Sequence, residues 1–253
     1  MPRYFIELSY NGTAYHGWQV QDNTPLTIQH ELNTMLSRLL NTGVAVTGCG
    51  RTDTGVHARN FYAHFDADTD LISAKDKWLF RFNNSLPGDI AISNIFKVKD
   101  DGNSRFDAVS RTYEYLVTKK KDPFLIDGAW FVYGELDVEK MNKAAAMLFS
   151  HNDFSSFAKS NTQSFTNNCR IFKAEWREEN EMLIFTVSAD RFLRNMVRAI
   201  VGTLAEVGKG KLTLEQFNEV ILSKNRSNAG FSVPACGLYL VRVEYPAEYF
   251  NSL

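Results

Sequence analysis

The residues of this chain best suited to chemistry run from Gly50 to His57 and set one carboxylate, Asp53, between an arginine and a glycine. The segment is too polar for a buried strand and too rich in glycine and threonine for a helix interior. Reactive groups are usually placed on such loops, because rigid elements fix the ends while the side chains stay accessible. Asp53 is therefore a candidate catalytic carboxylate, and capping of a tight turn is its structural alternative.

Two other chemistries use an aspartate in this kind of setting. Residues 53–55 spell the Asp-Thr-Gly triplet of aspartic proteases, in which two aspartates share a proton. The triplet occurs once, so a protease would have to dimerise across Asp53, where the charge of Arg51 opposes a shared proton. His57 and His64 could ligate a metal with nearby carboxylates, but on one strand they would point to opposite faces. The sequence favours neither a protease nor a metal site.

Two short strands, predicted over residues 44–47 and 61–65, would hold the ends of this loop. Before them, Thr24 is the predicted cap of a helix in which Pro25 takes the first position and apolar residues recur every 3.6 residues from Ile28 to Leu40. The other predicted elements are strands at 4–8, 90–98, 112–118 and 238–243, a hairpin over 169–188, and helices at 74–83, 138–149, 192–207 and 214–222.

The order of strand, helix and strand pair occurs twice along the chain. This order predicts an α+β fold with a mixed, mostly antiparallel sheet and two similar halves around a central cleft. Residues 1–104 would form the N-terminal half that carries the Asp53 loop, and residues 105–253 would complete the sheet and the cleft. The repeat is one of pattern and not of sequence.

Composition predicts an ordinary soluble globular protein, since 44% of the residues are hydrophobic and 23% are charged. The three cysteines are an odd count without a CxxC pair, which indicates neither a disulfide framework nor a zinc site and fits a reducing cytoplasm. The N-terminus leads directly into a strand pattern, and no run of 18 apolar residues occurs. We therefore expect a cytoplasmic protein that is neither exported nor embedded in a membrane.

Charge and aromatic content allow one binding hypothesis. The net charge of −1 leaves room only for a local basic patch. Several arginines stand beside aromatic residues, an arrangement that suits phosphate contact with base stacking and that also occurs in edge strands. These segments are Arg105-Phe106, Arg111-Thr112-Tyr113 and Arg191-Phe192. No P-loop or GxGxxG motif is present, which disfavours nucleoside triphosphates and dinucleotides as ligands.

Six segments in the same order resemble the tRNA pseudouridine synthase A family, and together they span nearly the whole chain. They are the segments 10–19, 50–57, 105–115, 152–157, 195–204 and 237–240, of which 50–57 reads Gly-Arg-Thr-Asp-Thr-Gly-Val-His. Three positions depart from the family pattern, namely Asn11 in place of a more usual Asp, Thr54 in place of Ala, and Arg194 in place of an aromatic residue or His. None of the three removes a group that the chemistry requires.

The resemblance implies an enzyme that isomerises uridine to pseudouridine at positions 38 to 40 of the tRNA anticodon stem-loop, as a homodimer and without a cofactor. Asp53 would be the catalytic aspartate, which can add to the uracil ring or the ribose, or stabilise a sugar cation. The target nucleotide would be flipped out of its stack. A noncatalytic RNA-binding module is the alternative, although it would have no use for Asp53, because a carboxylate opposes phosphate binding.

The resemblance implies four further residues of the substrate site. Tyr113 would stack on uracil and bring its hydroxyl near the sugar or into proton transfer. Arg198 would pair with Asp53 and keep it ionised. Arg51 would contact the phosphate of the flipped nucleotide or help to displace that nucleotide. Leu238 would form the floor of the uracil pocket. The structural alternatives are a core tyrosine, arginines at the protein surface and a core leucine.

Overall fold

The computed structural model describes residues 1–159, 166–247 and 249–250, and the chain divides into two compact units. The first unit comprises residues 1–109 and 240–253, and the second comprises residues 110–239. The division into functional halves at residue 104, with similar halves around a cleft, stays a prediction.

The sheet of the first unit is built around its first strand. Strand β1 (Arg3–Tyr10) pairs antiparallel with β3 (His57–Asp66) on one side and with β4 (Ile90–Val98) on the other. The two-residue strand β2 (Thr47–Gly48) pairs antiparallel with β3. Strands β2 and β3 therefore bracket the loop that carries Asp53.

The described part of the first unit contains the α-helices α1 (Ile28–Leu40) and α2 (Lys75–Asn83). Helix α1 buries Ile28, Leu32, Met35 and Leu36, which form part of the predicted apolar stripe. The predicted cap was wrong, because the hydroxyl of Thr27 accepts the His30 N–H at 3.3 Å while Thr24 forms an isolated bridge with Gln21. The chain therefore enters the helix three residues later than predicted.

Residues 44–46 do not form the predicted strand, because side chains of α1 satisfy their backbone groups. The Val44 N–H donates to Ser37 Oγ at 2.9 Å, and the Val46 N–H donates to Asn33 Oδ1 at 2.8 Å. The amide of Gln29 donates to the Val46 carbonyl at 2.7 Å. Strand pairing starts only at Thr47, so helix α1 fixes the approach of the chain to the Asp53 loop.

The sheet of the second unit contains β5 (Ser110–Thr118), β7 (Ile171–Glu179) and β8 (Met182–Ala189), with β8 antiparallel to both of the others. Strand β6 (Trp130–Phe131) pairs parallel with β5. The predicted hairpin turn is present at Asn180 and Glu181, whose φ angles of 51° and 62° match the tight turns of two-residue hairpins.

The described part of the second unit contains the α-helices α3 (Val138–Met147), α4 (Met196–Gly208) and α5 (Leu214–Leu222). Helix α4 begins four residues later than predicted, because Asn195 adopts a left-handed conformation with φ 68°. A Cβ on Gly202 would lie 1.9 Å from the Phe231 carbonyl oxygen, so the segment around Phe231 packs directly on α4. That segment leads through Gly237 into β9 (Leu238–Glu244), which continues into the first unit from Leu240.

The predicted fold class is confirmed, since both units combine helices with mostly antiparallel strands and the β5–β6 pair makes the pairing mixed. Within the described residues, no helix is both long and apolar enough to cross a membrane.

His64, a buried residue of β3, makes stability depend on pH. Its Nδ1 accepts the Ser104 N–H at 3.1 Å, and burial lowers the pKa of His64 from 6.5 to about 4, with the nearby charge of Arg3 adding to the effect. The unfolded chain therefore takes up this proton near pH 6.5, whereas the folded chain takes it up only near pH 4. We therefore expect the contribution of His64 to the free energy of unfolding to be fully present above pH 6.5, and up to about 3 kcal/mol of it to be lost as the pH drops toward 4.

Urea denaturation between pH 7.5 and pH 4 measures this loss. His64→Asn keeps an acceptor near the position of Nδ1 but cannot titrate, so we expect its stability to fall less than that of the wild-type protein. The difference between the two proteins isolates the histidine from the carboxylates that titrate in the same range. Parallel stability curves for the two proteins would contradict the assignment.

Candidate functional site

Asp53 opens a tight turn between β2 and β3. The Val56 N–H donates to the Asp53 carbonyl at 3.1 Å, and Gly55 has φ 76°, as the third residue of a type II turn requires. Asp53 is half-buried, whereas Arg51 and Thr54 are exposed. The glycine thus permits a turn that leaves the Asp53 side chain partly accessible.

A second segment, residues 10–18, holds this turn on both sides of the aspartate. The Trp18 N–H donates to the Thr52 carbonyl at 3.1 Å, and the Gly55 N–H donates to the Tyr15 carbonyl at 3.4 Å. The hydroxyls of Tyr10 and Thr52 share a hydrogen bond of 2.8 Å. We call residues 10–18 the clamp segment, because they bond the residues that flank Asp53.

Two glycines allow the clamp segment to come this close. A Cβ on Gly12 would lie 2.0 Å from the Val56 carbonyl oxygen, and a Cβ on Gly17 would lie 2.5 Å from the Thr52 carbonyl oxygen. Gly17 also has φ 88°, a conformation that other residues rarely adopt. The sequence did not predict these positioning roles, because it shows the two glycines but not which segment they approach in the fold.

Arg51 lines a polar pocket of about 240 Å³ in the first unit, together with Arg105 and the amide side chains of Gln19 and Gln29. Gln29 is fixed there, because its Oε1 accepts hydrogen bonds from Gln19 Nε2 at 2.7 Å and from the Val20 N–H at 2.9 Å. Two guanidinium groups beside amides suit a phosphate, which takes charge-assisted hydrogen bonds.

Tyr113 lies on β5 in the second unit and is half-buried. Its ring packs edge-to-face against Phe192, with the ring centroids 5.1 Å apart. Tyr115, two residues along the same strand, is fully buried, and its hydroxyl donates to the Pro234 carbonyl at 2.8 Å. Burial raises the pKa of Tyr115. Tyr113 thus keeps part of its surface accessible, unlike Tyr115.

Arg198 lies in the first turn of α4 and is half-buried. Its Nε donates to the Val233 carbonyl at 2.7 Å, and the Val233 N–H donates to the Arg198 carbonyl at 3.3 Å. Leu238 is 6% exposed at the start of β9, directly after Gly237, where a Cβ would lie 2.8 Å from the Leu116 carbonyl oxygen. Residues 233–238 therefore contact both α4 and β5.

The predicted site residues fall into two groups. Asp53 and Arg51 share one loop of the first unit, and Tyr113, Arg198 and Leu238 belong to connected elements of the second unit. The pairing of Arg198 with Asp53 joins residues of different units and stays a prediction.

Comparison with known proteins gives matches over nearly the full chain. A family model described as tRNA pseudouridine synthase matches residues 144–246. The chain is 49% identical over 253 residues to tRNA pseudouridine synthase A of Parabacteroides distasonis, covering 99% of this chain and 98% of that protein. The proteins of the same name from Bacteroides thetaiotaomicron and Francisella tularensis subsp. novicida are 50% and 39% identical, each over 99% of this chain and over 93% and 97% of their own lengths.

Proposed function

Because the chain belongs to the tRNA pseudouridine synthase A family and isomerises uridine to pseudouridine in tRNA, we propose that Asp53 is its catalytic carboxylate. The observation that carries the proposal is the turn at residues 53–56, which offers one half-buried carboxylate while the clamp segment bonds the residues on both sides of it. Family membership excludes the alternative of a noncatalytic RNA-binding module.

The reaction breaks the glycosidic C–N bond, turns the uracil and forms a C–C bond between uracil and ribose. A carboxylate serves this sequence by adding to the ring or to the sugar, or by stabilising the cation that develops on the sugar as the base leaves. Each route needs the carboxylate within bonding or close electrostatic distance of the nucleoside. The bonds that fix the Asp53 turn would supply this placement before the substrate arrives.

We propose that the substrate is the anticodon stem-loop, with the target uridine at positions 38 to 40 flipped out of its stack. Tyr113 would stack on the flipped uracil, and the edge contact with Phe192 would hold its ring in place. Arg198 would pair with Asp53 through its terminal nitrogens, since its Nε already donates to Val233. Leu238 would form the apolar floor of the uracil pocket.

The role of the Tyr113 hydroxyl in the reaction is tested by Tyr113→Phe, which removes the hydroxyl but keeps the ring and its contact with Phe192. If the hydroxyl transfers a proton, we expect a single-turnover rate about 10²-fold lower, with a tRNA dissociation constant close to the wild-type value. Tyr133→Phe is the matched control, because that tyrosine of the same unit is 92% exposed. An undiminished rate in Tyr113→Phe would leave stacking as the only role of Tyr113.

The polar pocket predicts a phosphate contact by Arg51 and Arg105. Alanine at either position should weaken tRNA binding and lower the slope of log affinity against log salt by about 1. If both arginines hold one phosphate, the double variant should lose less binding free energy than the sum of the single variants. Arg59→Ala is the control, because Arg59 is exposed on β3 outside this pocket. Unchanged salt slopes would contradict phosphate contact.

We also propose that the enzyme acts in the cytoplasm as a homodimer and needs no cofactor. Family membership supports these assignments, and tRNA is a substrate found in that compartment. Sedimentation velocity at the concentrations used for activity tests the homodimer, and full activity of a monomeric species would contradict it.

A further inference from the structure

We propose that His57 is a positioning residue for the Asp53 turn, acting through an imidazole whose Nδ1 accepts the N–H of Gly12. The inference rests on the proposed function, because it assigns His57 an effect on Asp53 and none on the substrate itself.

His57 is the first residue of β3 and follows Asp53 by four positions. It is 2% exposed, and its Nδ1 lies 3.1 Å from the backbone nitrogen of Gly12, which is also buried. A backbone N–H only donates, so Nδ1 must present a lone pair. The ring is therefore neutral, with its proton on Nε2.

A chain of hydrogen bonds connects the contact between His57 and Gly12 with the Asp53 turn. The Gly12 carbonyl accepts the Tyr15 N–H at 3.0 Å, and the Tyr15 carbonyl accepts the Gly55 N–H at 3.4 Å. Gly12 also packs against the Val56 carbonyl, because a Cβ there would lie 2.0 Å from that oxygen. The position of Gly12 therefore sets the position of residues 55 and 56, which close the turn that Asp53 opens.

Loss of the acceptor on His57 would leave a buried N–H without this partner. Burying an unsatisfied backbone donor is costly, so the clamp segment would shift to find another partner. A displacement of about 1 Å at a catalytic group is enough to lower a rate by about 10²-fold. The expected effect is thus a slower reaction in a protein that still folds and still binds tRNA.

His64 separates this role from that of an ordinary buried histidine. It lies on the same strand, is 7% exposed, and accepts the Ser104 N–H at Nδ1 in the same way. The hydroxyl of Ser104 in turn donates to the Thr47 carbonyl on β2, six residues before Asp53 and outside the turn at residues 53–56. Substitutions at His64 therefore provide a matched control for burial and for loss of a hydrogen bond.

The test compares His57→Asn, whose Oδ1 occupies nearly the place of Nδ1, with His57→Leu, which has no acceptor. We expect the single-turnover rate at saturating tRNA to stay within about 5-fold of wild type in His57→Asn and to fall about 10²-fold in His57→Leu. The dissociation constant for tRNA should change little in either variant. Hydrogen exchange at the Gly12 amide should be slow in wild type and His57→Asn and fast in His57→Leu.

Two results would overturn the inference. One is a wild-type rate in folded His57→Leu, and the other is an equal loss in His57→Asn and His57→Leu. If His57→Leu does not fold, His57→Gln carries the test, because its amide lies one bond farther from Cβ and misses the place of Nδ1. His64→Asn and His64→Leu should both keep the wild-type rate. Activity in Asp53→Asn would instead refute the proposed function, so the two failures are distinguishable.

Discussion

Replacing Asp53 by asparagine will abolish pseudouridine formation and leave tRNA binding close to the wild-type value. Asparagine has the same shape but lacks the charge and the nucleophilic oxygen, so neither covalent addition nor stabilisation of a sugar cation is available to it. We expect the single-turnover rate to fall by at least about 10³-fold, as when a member of a catalytic group is removed from an enzyme.

The Asp53→Asn variant should fold normally, because it keeps the backbone bonds of the turn from Val56 N–H to the Asp53 carbonyl and from Gly55 N–H to the Tyr15 carbonyl. Thermal denaturation checks this point, and filter binding measures the affinity for unmodified tRNA. Asp68→Asn is the matched control, since Asp68 is an exposed aspartate of the same unit. Retained isomerisation in Asp53→Asn would show that another group performs the chemistry.

The second large effect is expected from Gly12→Ala, which adds one methyl group between the clamp segment and the Asp53 turn. The new Cβ would lie 2.0 Å from the Val56 carbonyl oxygen, a distance that only movement of the backbone can relieve. We expect a loss of about 1–3 kcal/mol in the free energy of unfolding, as for other overpacked sites. The displaced turn should also lower the single-turnover rate by about 10²-fold.

Gly43→Ala is the control for Gly12→Ala, because a Cβ on Gly43 would meet nothing within 4 Å. Urea denaturation and single-turnover assays at a temperature where both variants are folded separate stability from catalysis. A folded Gly12→Ala protein with wild-type rate would show that contact with the clamp segment does not position Asp53.

Much of the fold could be predicted because its signals are local. Helix α2, strand β4 and the hairpin of β7 and β8 lie close to their predicted bounds, where hydrophobic periodicity and turn residues agree. Residues 44–46 could not be predicted as loop, because the partners of their backbone groups are the side chains of Ser37, Asn33 and Gln29. Residues typical of a strand took another conformation where tertiary contacts satisfied the backbone.

In the candidate site, too, local features could be predicted from the sequence and contacts between distant residues could not. The glycine at position 55 indicates a tight turn at Asp53, because the third residue of this turn has a positive φ. The hydrogen bond between His57 and Gly12 joins residues that are 45 positions apart, so no local sequence pattern predicts it. Tyr113 and Tyr115 have equivalent places in the alternation of β5, so the sequence could not say which one is fully buried.

The most direct test of the central claim is the mapping of pseudouridine in tRNA from cells that lack this protein and are complemented with either the wild-type chain or Asp53→Asn. We predict that the wild-type chain restores pseudouridine at positions 38 to 40 of the anticodon stem-loop and that Asp53→Asn, expressed at the same level, restores none. Pseudouridine at those positions in cells carrying Asp53→Asn, or its restoration by the wild-type chain only elsewhere in tRNA, would contradict the account.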